Sequence, residues 1–157
     1  MIDPRQFRIE IVRKVLGWID PVVPHSLTAE NLLVGTALVE SGLRALVQDG
    51  GPALGVFQIE PATHHDVLLN FLDYRPALAE QVRAFRAQSP DPDTQLVTNL
   101  AYACAIARLI YFRRPEPLPE ADDIEALAAY WKAHYNTPQG KGTVTRFVAS
   151  YRDHGKE

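Results

Sequence analysis

A chain of 157 residues, 46% of them hydrophobic, is long enough to bury one sizeable core and is expected to form a single domain over residues 1–157. Its net charge of −3 and pI of about 5.9 give no electrostatic case for nucleic acid or an anionic membrane as partner. The longest apolar run is far short of a membrane span, and the single Cys104 excludes an internal disulfide.

The predicted elements are mostly helical. Asp3-Pro4 opens a first helix with Phe7, Ile11, Val15 and Ile19 along one face, and Pro21 and Pro24 end it. Residues 32–39 are apolar nearly all round, which predicts a helix buried in the core, with Thr28 as its N-cap and Gly42 as its stop. Residues 43–60 read as a long loop with a small β-hairpin around residues 53–59. Pro61 starts a helix through Leu72, and Pro76 a further one through Phe85. Ser89-Pro90-Asp91-Pro92-Asp93 is a turn-rich connector that caps a long helix to Phe112. After a proline-rich link over residues 113–119, Asp122, Asp123 and Glu125 cap a helix to about His134. Gly140 and Gly142 break the chain before a last helix at residues 144–151. The polar start, Met1-Ile2-Asp3-Pro4-Arg5, has no signal-peptide core, so the chain is expected to be made in the cytoplasm and to stay there unless another component carries it.

Chemistry concentrates at Glu40-Ser41-Gly42 and Gly55-Val56-Phe57-Gln58. Glu40 falls in the last turn of the apolar helix, where the negative end of the dipole and apolar neighbours both favour its protonated form. A general acid for glycosidic cleavage needs that property. Gly50-Gly51-Pro52 and Gly55 let the loop double back, which would bring Gln58 beside Glu40 while Phe57 and Ile59 turn into the interior. Tyr135-Asn136-Thr137-Pro138 lies where a helix gives way to a Gly-rich loop, so Tyr135 can project into a cleft with its hydroxyl free to hydrogen-bond. Lys132, Lys141 and Arg146 add positive charge at that end, and Tyr130, Trp131 and Phe147 read as core. His64-His65-Asp66 reads as a surface face rather than a metal site, because adjacent helical residues diverge and no further ligand motif accompanies them. Cys104 reads as a buried structural thiol, and no phosphate loop, nucleotide fingerprint or serine elbow is present.

Glu40-Ser41-Gly42-Leu43, Gly55-Val56-Phe57-Gln58-Ile59 and Pro61-Ala62-Thr63 together resemble the soluble lytic transglycosylase domain, a relative of goose-type lysozyme. Asn99 to Tyr111 is similar to that family's long Asn-initiated helix, and Leu127-Ala128-Ala129-Tyr130 with Tyr135-Asn136 to its closing Ala-Ala-Tyr-Asn motif, so the likeness spans roughly residues 28–151. Phe57 stands where the family has methionine, and Asp49 where it often has a serine facing the substrate's acetamido group. The resemblance implies a mainly α, lysozyme-like fold with a small hairpin or loop flanking the active-site cleft. It implies cleavage of the bond between N-acetylmuramic acid and N-acetylglucosamine, with Glu40 as acid and then base and without metal or cofactor. Ser41, Asp49, Gln58, Tyr135 and Asn136 would bind the sugar or position Glu40. If Asp49 instead activates water, the enzyme is a muramidase. The partner is then peptidoglycan glycan strands, and the setting a phage virion or an endolysin released to the wall. A weakly active or non-catalytic plug protein contacting phage tail or baseplate proteins, and a helical interaction module with no catalytic role, are the alternatives.

Overall fold

Each helix begins where a short polar side chain or a proline is placed to begin it. Asp3 accepts the Gln6 amide and Pro4 takes the first position of α1, which comprises Pro4–Gln6, a π-helical stretch Phe7–Val12, and Arg13–Ile19. Ser26, extended at φ −153°, caps α2 (Leu27–Ser41) by accepting the Ala29 amide at 3.1 Å, so the cap lies two residues before the predicted Thr28, which is already helical. The computed structural model describes residues 1–155 and is mainly helical, with no β-strand among the described residues.

The central element is α2. Every residue from Ala29 to Val39 is buried, as its all-round apolar sequence requires, and α1 and the three helices nearest the C-terminus pack around it. Gly42 ends it in the left-handed conformation at φ 61°, its amide bonded to the Leu38 carbonyl.

The predicted hairpin is reduced to two isolated antiparallel bridges, Val47 with Leu54 and Leu54 with Ile59. Leu54 and Ile59 exchange both backbone bonds at 2.9 Å, and the residues between them are coiled too tightly for a strand, with positive φ at Gly55 (73°) and Gln58 (48°). A Cβ on Gly55 would lie 1.9 Å from the Leu96 carbonyl oxygen, so the loop meets the neighbouring backbone at a distance only glycine allows.

The remaining helices are α3 (Pro61–Asn70), α4 (Pro76–Arg83), α5 (Pro92–Thr98), α6 (Leu100–Phe112), α7 (Ile124–Trp131, continued by a π-helical Lys132–Asn136) and α8 (Val144–His154). The single long helix expected to reach Phe112 is two, meeting at 108°. Asn99 adopts extended φ and ψ and caps α6 through the Tyr102 amide, which forces the break. No single helix among the described residues is long and apolar enough to cross a membrane.

One polar cluster ties the two ends of the chain together. The buried Glu30 carboxylate meets Arg13 at 3.0 Å, Arg8 at 3.6 Å and the His25 ring at 2.8 Å. Arg8, also buried, donates to Asn31 Oδ1 (2.8 Å), the Gly155 carbonyl (2.7 Å) and the Tyr151 hydroxyl (3.2 Å). These bonds hold α1 and the end of α8 against the start of α2.

Candidate functional site

Glu40 stands in the last turn of α2, as predicted, and its surroundings come from distant parts of the chain. The Trp131 indole donates to Glu40 Oε1 at 2.9 Å. Trp131 is otherwise fully buried, packed on Phe147 with ring centroids 5.5 Å apart. Burial raises the Glu40 pKa above the ordinary value of 4.5, opposed by hydrogen bonding from Trp131 and Asn136 and by the charges of Arg146 and Lys132. The result is a carboxyl group with enhanced affinity for its proton, held by a neutral donor rather than neutralised by a contacting cation.

Two tyrosines back this carboxyl. The rings of Tyr111 and Tyr135 stack 5.2 Å apart, and both phenols are held well above their usual range, first by burial and also by the Glu40 charge. Tyr111 shares a 2.7 Å bond with Thr36 Oγ1. Tyr135 donates to the Phe57 carbonyl at 2.7 Å, so its hydroxyl is committed and not free in a cleft as the sequence led one to expect. The turn at the end of α7 presents Tyr135 toward the interior, where an unbonded hydroxyl would cost about 1–3 kcal/mol.

The Gly-Val-Phe-Gln loop is fastened to the Glu40 helix from two directions. One is the Tyr135 bond to Phe57. The other is Ser41, whose hydroxyl lies 2.6 Å from the Val56 carbonyl and 3.0 Å from the Ala37 carbonyl and accepts the Leu43 amide. Ser41 is therefore a clasp between helix end and loop. Phe57 and Ile59 are buried, as predicted, with Phe57 against Phe7 at 5.8 Å. Gln58 makes no hydrogen bond to Glu40. Its amide donates to the Gly55 carbonyl at 2.8 Å, because the left-handed backbone at Gln58 closes the turn on itself.

Asn136 is both near the carboxyl and strapped down: Lys132 Nζ donates to Asn136 Oδ1 and to the Gly140 carbonyl, each at 2.7 Å. The loop beyond presses close, since a Cβ on Gly142 would lie 2.5 Å from the Trp131 ring and 2.9 Å from Asn136 Nδ2. Asp49 is different. It is exposed and makes no hydrogen bond or ion pair with any described residue, Glu40 included.

A cleft of about 440 Å³ opens beside Glu40, lined also by Ser41, Gly42, Arg44, Arg146 and His154. Among the described residues Glu40 is its only acidic one, facing two arginines and a histidine. Of the residues predicted for the site, Glu40 and Ser41 line this cleft, Asn136 and Tyr135 interact with the carboxyl through hydrogen bonding or charge, and Gln58 and Asp49 make no hydrogen bond to it. Trp131, which the sequence reading placed in the core, is also a direct partner of Glu40. Two signals in the sequence could have found it: a buried indole N–H needs an acceptor, and Trp131 precedes Tyr135 by four positions, which places both on one helix face.

Comparison with protein-family models, with curated proteins and with solved structures finds no match to this chain.

Proposed function

We propose that this chain is a peptidoglycan-cleaving lytic transglycosylase that uses Glu40 alone as acid and then base. The observation that carries the reading is the Glu40 carboxyl: half-buried at the end of α2, held by Trp131, its pKa raised, bordering a cleft, and, among the described residues, without a second carboxylate bonded to it.

In the reaction, Glu40 gives its proton to the glycosidic oxygen between N-acetylmuramic acid and N-acetylglucosamine as the C1–O bond breaks. The ionised Glu40 then takes the proton of the muramic 6-hydroxyl as that oxygen bonds to C1. The glutamic acid is regenerated, no water is consumed, and the product is a 1,6-anhydro sugar. Trp131 and Asn136 stabilise the ionised intermediate state of Glu40, which is the role hydrogen bonding to a carboxylate supports. The exposed, unpaired Asp49 favours this route over inverting hydrolysis, which needs a base on the opposite face of the sugar. Glycan strands are the substrate in this proposal, reached from a phage virion or after release to the wall.

Mass analysis of muropeptides released from purified peptidoglycan tests the reading. Anhydro-muropeptides are expected; reducing ends would replace the mechanism with hydrolysis, and no release would reject the enzyme assignment.

A further inference from the structure

His64 and His65 converge in the folded chain, against the expectation that neighbours on a helix diverge. Both belong to α3, and both reach Asp93 in the first turn of α5. His64 Nδ1 lies 2.6 Å from Asp93 Oδ1, and His65 Nε2 lies 2.9 Å from Asp93 Oδ2. Asp66, adjacent in sequence, takes no part; it pairs with Arg113 at 2.5 Å and accepts from Asn70. His64 is fully buried, and its second nitrogen, Nε2, is bonded to the Tyr102 hydroxyl at 2.7 Å, so its ring is held in one orientation. One donor atom from each of His64, His65 and Asp93 falls within 4.8 Å of the others.

We propose that His64 Nδ1, His65 Nε2 and the Asp93 carboxylate bind a divalent transition-metal ion of the zinc class. Two imidazoles and one carboxylate are a donor set suited to such an ion, and three protein ligands leave a position for water. Tyr102 can supply the outer bond that orients a ligating histidine: its hydroxyl, which now donates to Nε2, turns to accept from Nε2–H in the metal-bound tautomer, and Nδ1 then presents its lone pair. On binding, the ion replaces the two histidine–aspartate hydrogen bonds: the proton that His64 Nδ1 donates to Asp93 is relocated to Nε2, and the proton on His65 Nε2 to Nδ1, so each ring changes tautomer, stays neutral, and no net proton is lost. The donor atoms must move apart from hydrogen-bond spacing. His65, with 56% of its side chain exposed, supplies that movement and the route in. Asp93 is an acceptor already shared by both rings, so the ion would clip α3 to α5 where hydrogen bonds now do. The charge of Arg86 acts on His64 and opposes a cation. The site is separate from Glu40 and stands or falls independently of peptidoglycan cleavage.

The test is titration calorimetry of the untagged full-length chain with Zn²⁺, with Mg²⁺ and Ca²⁺ as controls, followed by Co²⁺ absorption. One Zn²⁺ per chain is expected, with no binding of Mg²⁺ or Ca²⁺ and visible Co²⁺ bands. His65→Ala, at an exposed position that leaves the fold intact, and Asp93→Asn should each weaken Zn²⁺ by at least about tenfold. Absence of saturable one-to-one binding in the wild type, or binding that survives either substitution with a smaller loss, would overturn the proposal.

Discussion

Glu30 and Glu40 sit in the first and last turns of the same helix, and the fold treats them in opposite ways. Burial acts to raise the pKa of both. At Glu30 that effect is outweighed by hydrogen bonds and charge from Arg13 and His25, and the carboxylate is held below its ordinary 4.5. At Glu40 burial wins: the direct partner is the neutral Trp131 indole, Arg146 and Lys132 act only from a distance, and the pKa is raised. The helix dipole adds to the contrast, favouring a negative charge at the first turn and disfavouring one at the last. A carboxyl matched with contacting cations is an anchor, whereas one left with a neutral donor beside a cleft is available for proton transfer.

Four experiments break or sharpen this contrast. The largest expected effect is on activity. Glu40→Gln keeps the shape and the Trp131 bond but removes the proton, and should cut muropeptide release by about a hundredfold to ten-thousandfold with little change in folding. Near-native activity in this variant would remove Glu40 from the mechanism. Glu30→Ala should do the reverse. It leaves Arg8 buried without its countercharge, and urea denaturation should show a loss of about 3–5 kcal/mol while activity per folded molecule is kept.

Trp131→Phe keeps the ring packing on Phe147 and deletes the bond that favours ionised Glu40. The Glu40 pKa should rise further, moving the alkaline limb of the pH–activity profile to higher pH; a purely structural tryptophan would lower activity without moving that limb. The smallest effect is in the pH dependence of stability, where the two acids should give slopes of opposite sign. The stability tied to Glu40, whose folded pKa is raised, is fully present below 4.5 and lost as pH rises through the folded value. The stability tied to Glu30, whose folded pKa is lowered, is fully present above 4.5 and lost as pH falls through the folded value. Denaturation across pH should therefore show Glu40→Gln flattening the alkaline side and Glu30→Gln the acid side.

Much of the frame was legible because it is local. The buried α2, Glu40 in its last turn, the Gly42 stop and the inward Phe57 and Ile59 follow from periodicity, burial preference and glycine at positive φ. What failed depends on partners far away in sequence. Trp131 reaches Glu40 across a separation of 91 residues, and Tyr135 reaches Phe57 across 78, so neither bond has a local trace. Alternation puts Phe57 and Ile59 inward, as found, but carries no trace of the positive φ at Gly55 and Gln58 that turns the Gln58 amide onto the Gly55 carbonyl. Helix geometry alone sets adjacent histidines apart, and only Asp93, distant in sequence, draws the His64 and His65 rings together.

Gly55 carries a consequence for how this sequence can vary. The loop and the Leu96 carbonyl approach backbone to backbone, so no rotamer change in a neighbouring side chain can admit even a methyl group. Loop positions usually drift freely, but in a saturation library selected for folding, position 55 should return glycine alone, while exposed Asp49 in the same loop accepts nearly any residue. The same asymmetry makes Gly55, rather than the more chemically prominent Gln58, the residue by which distant homologues of this loop should be recognised.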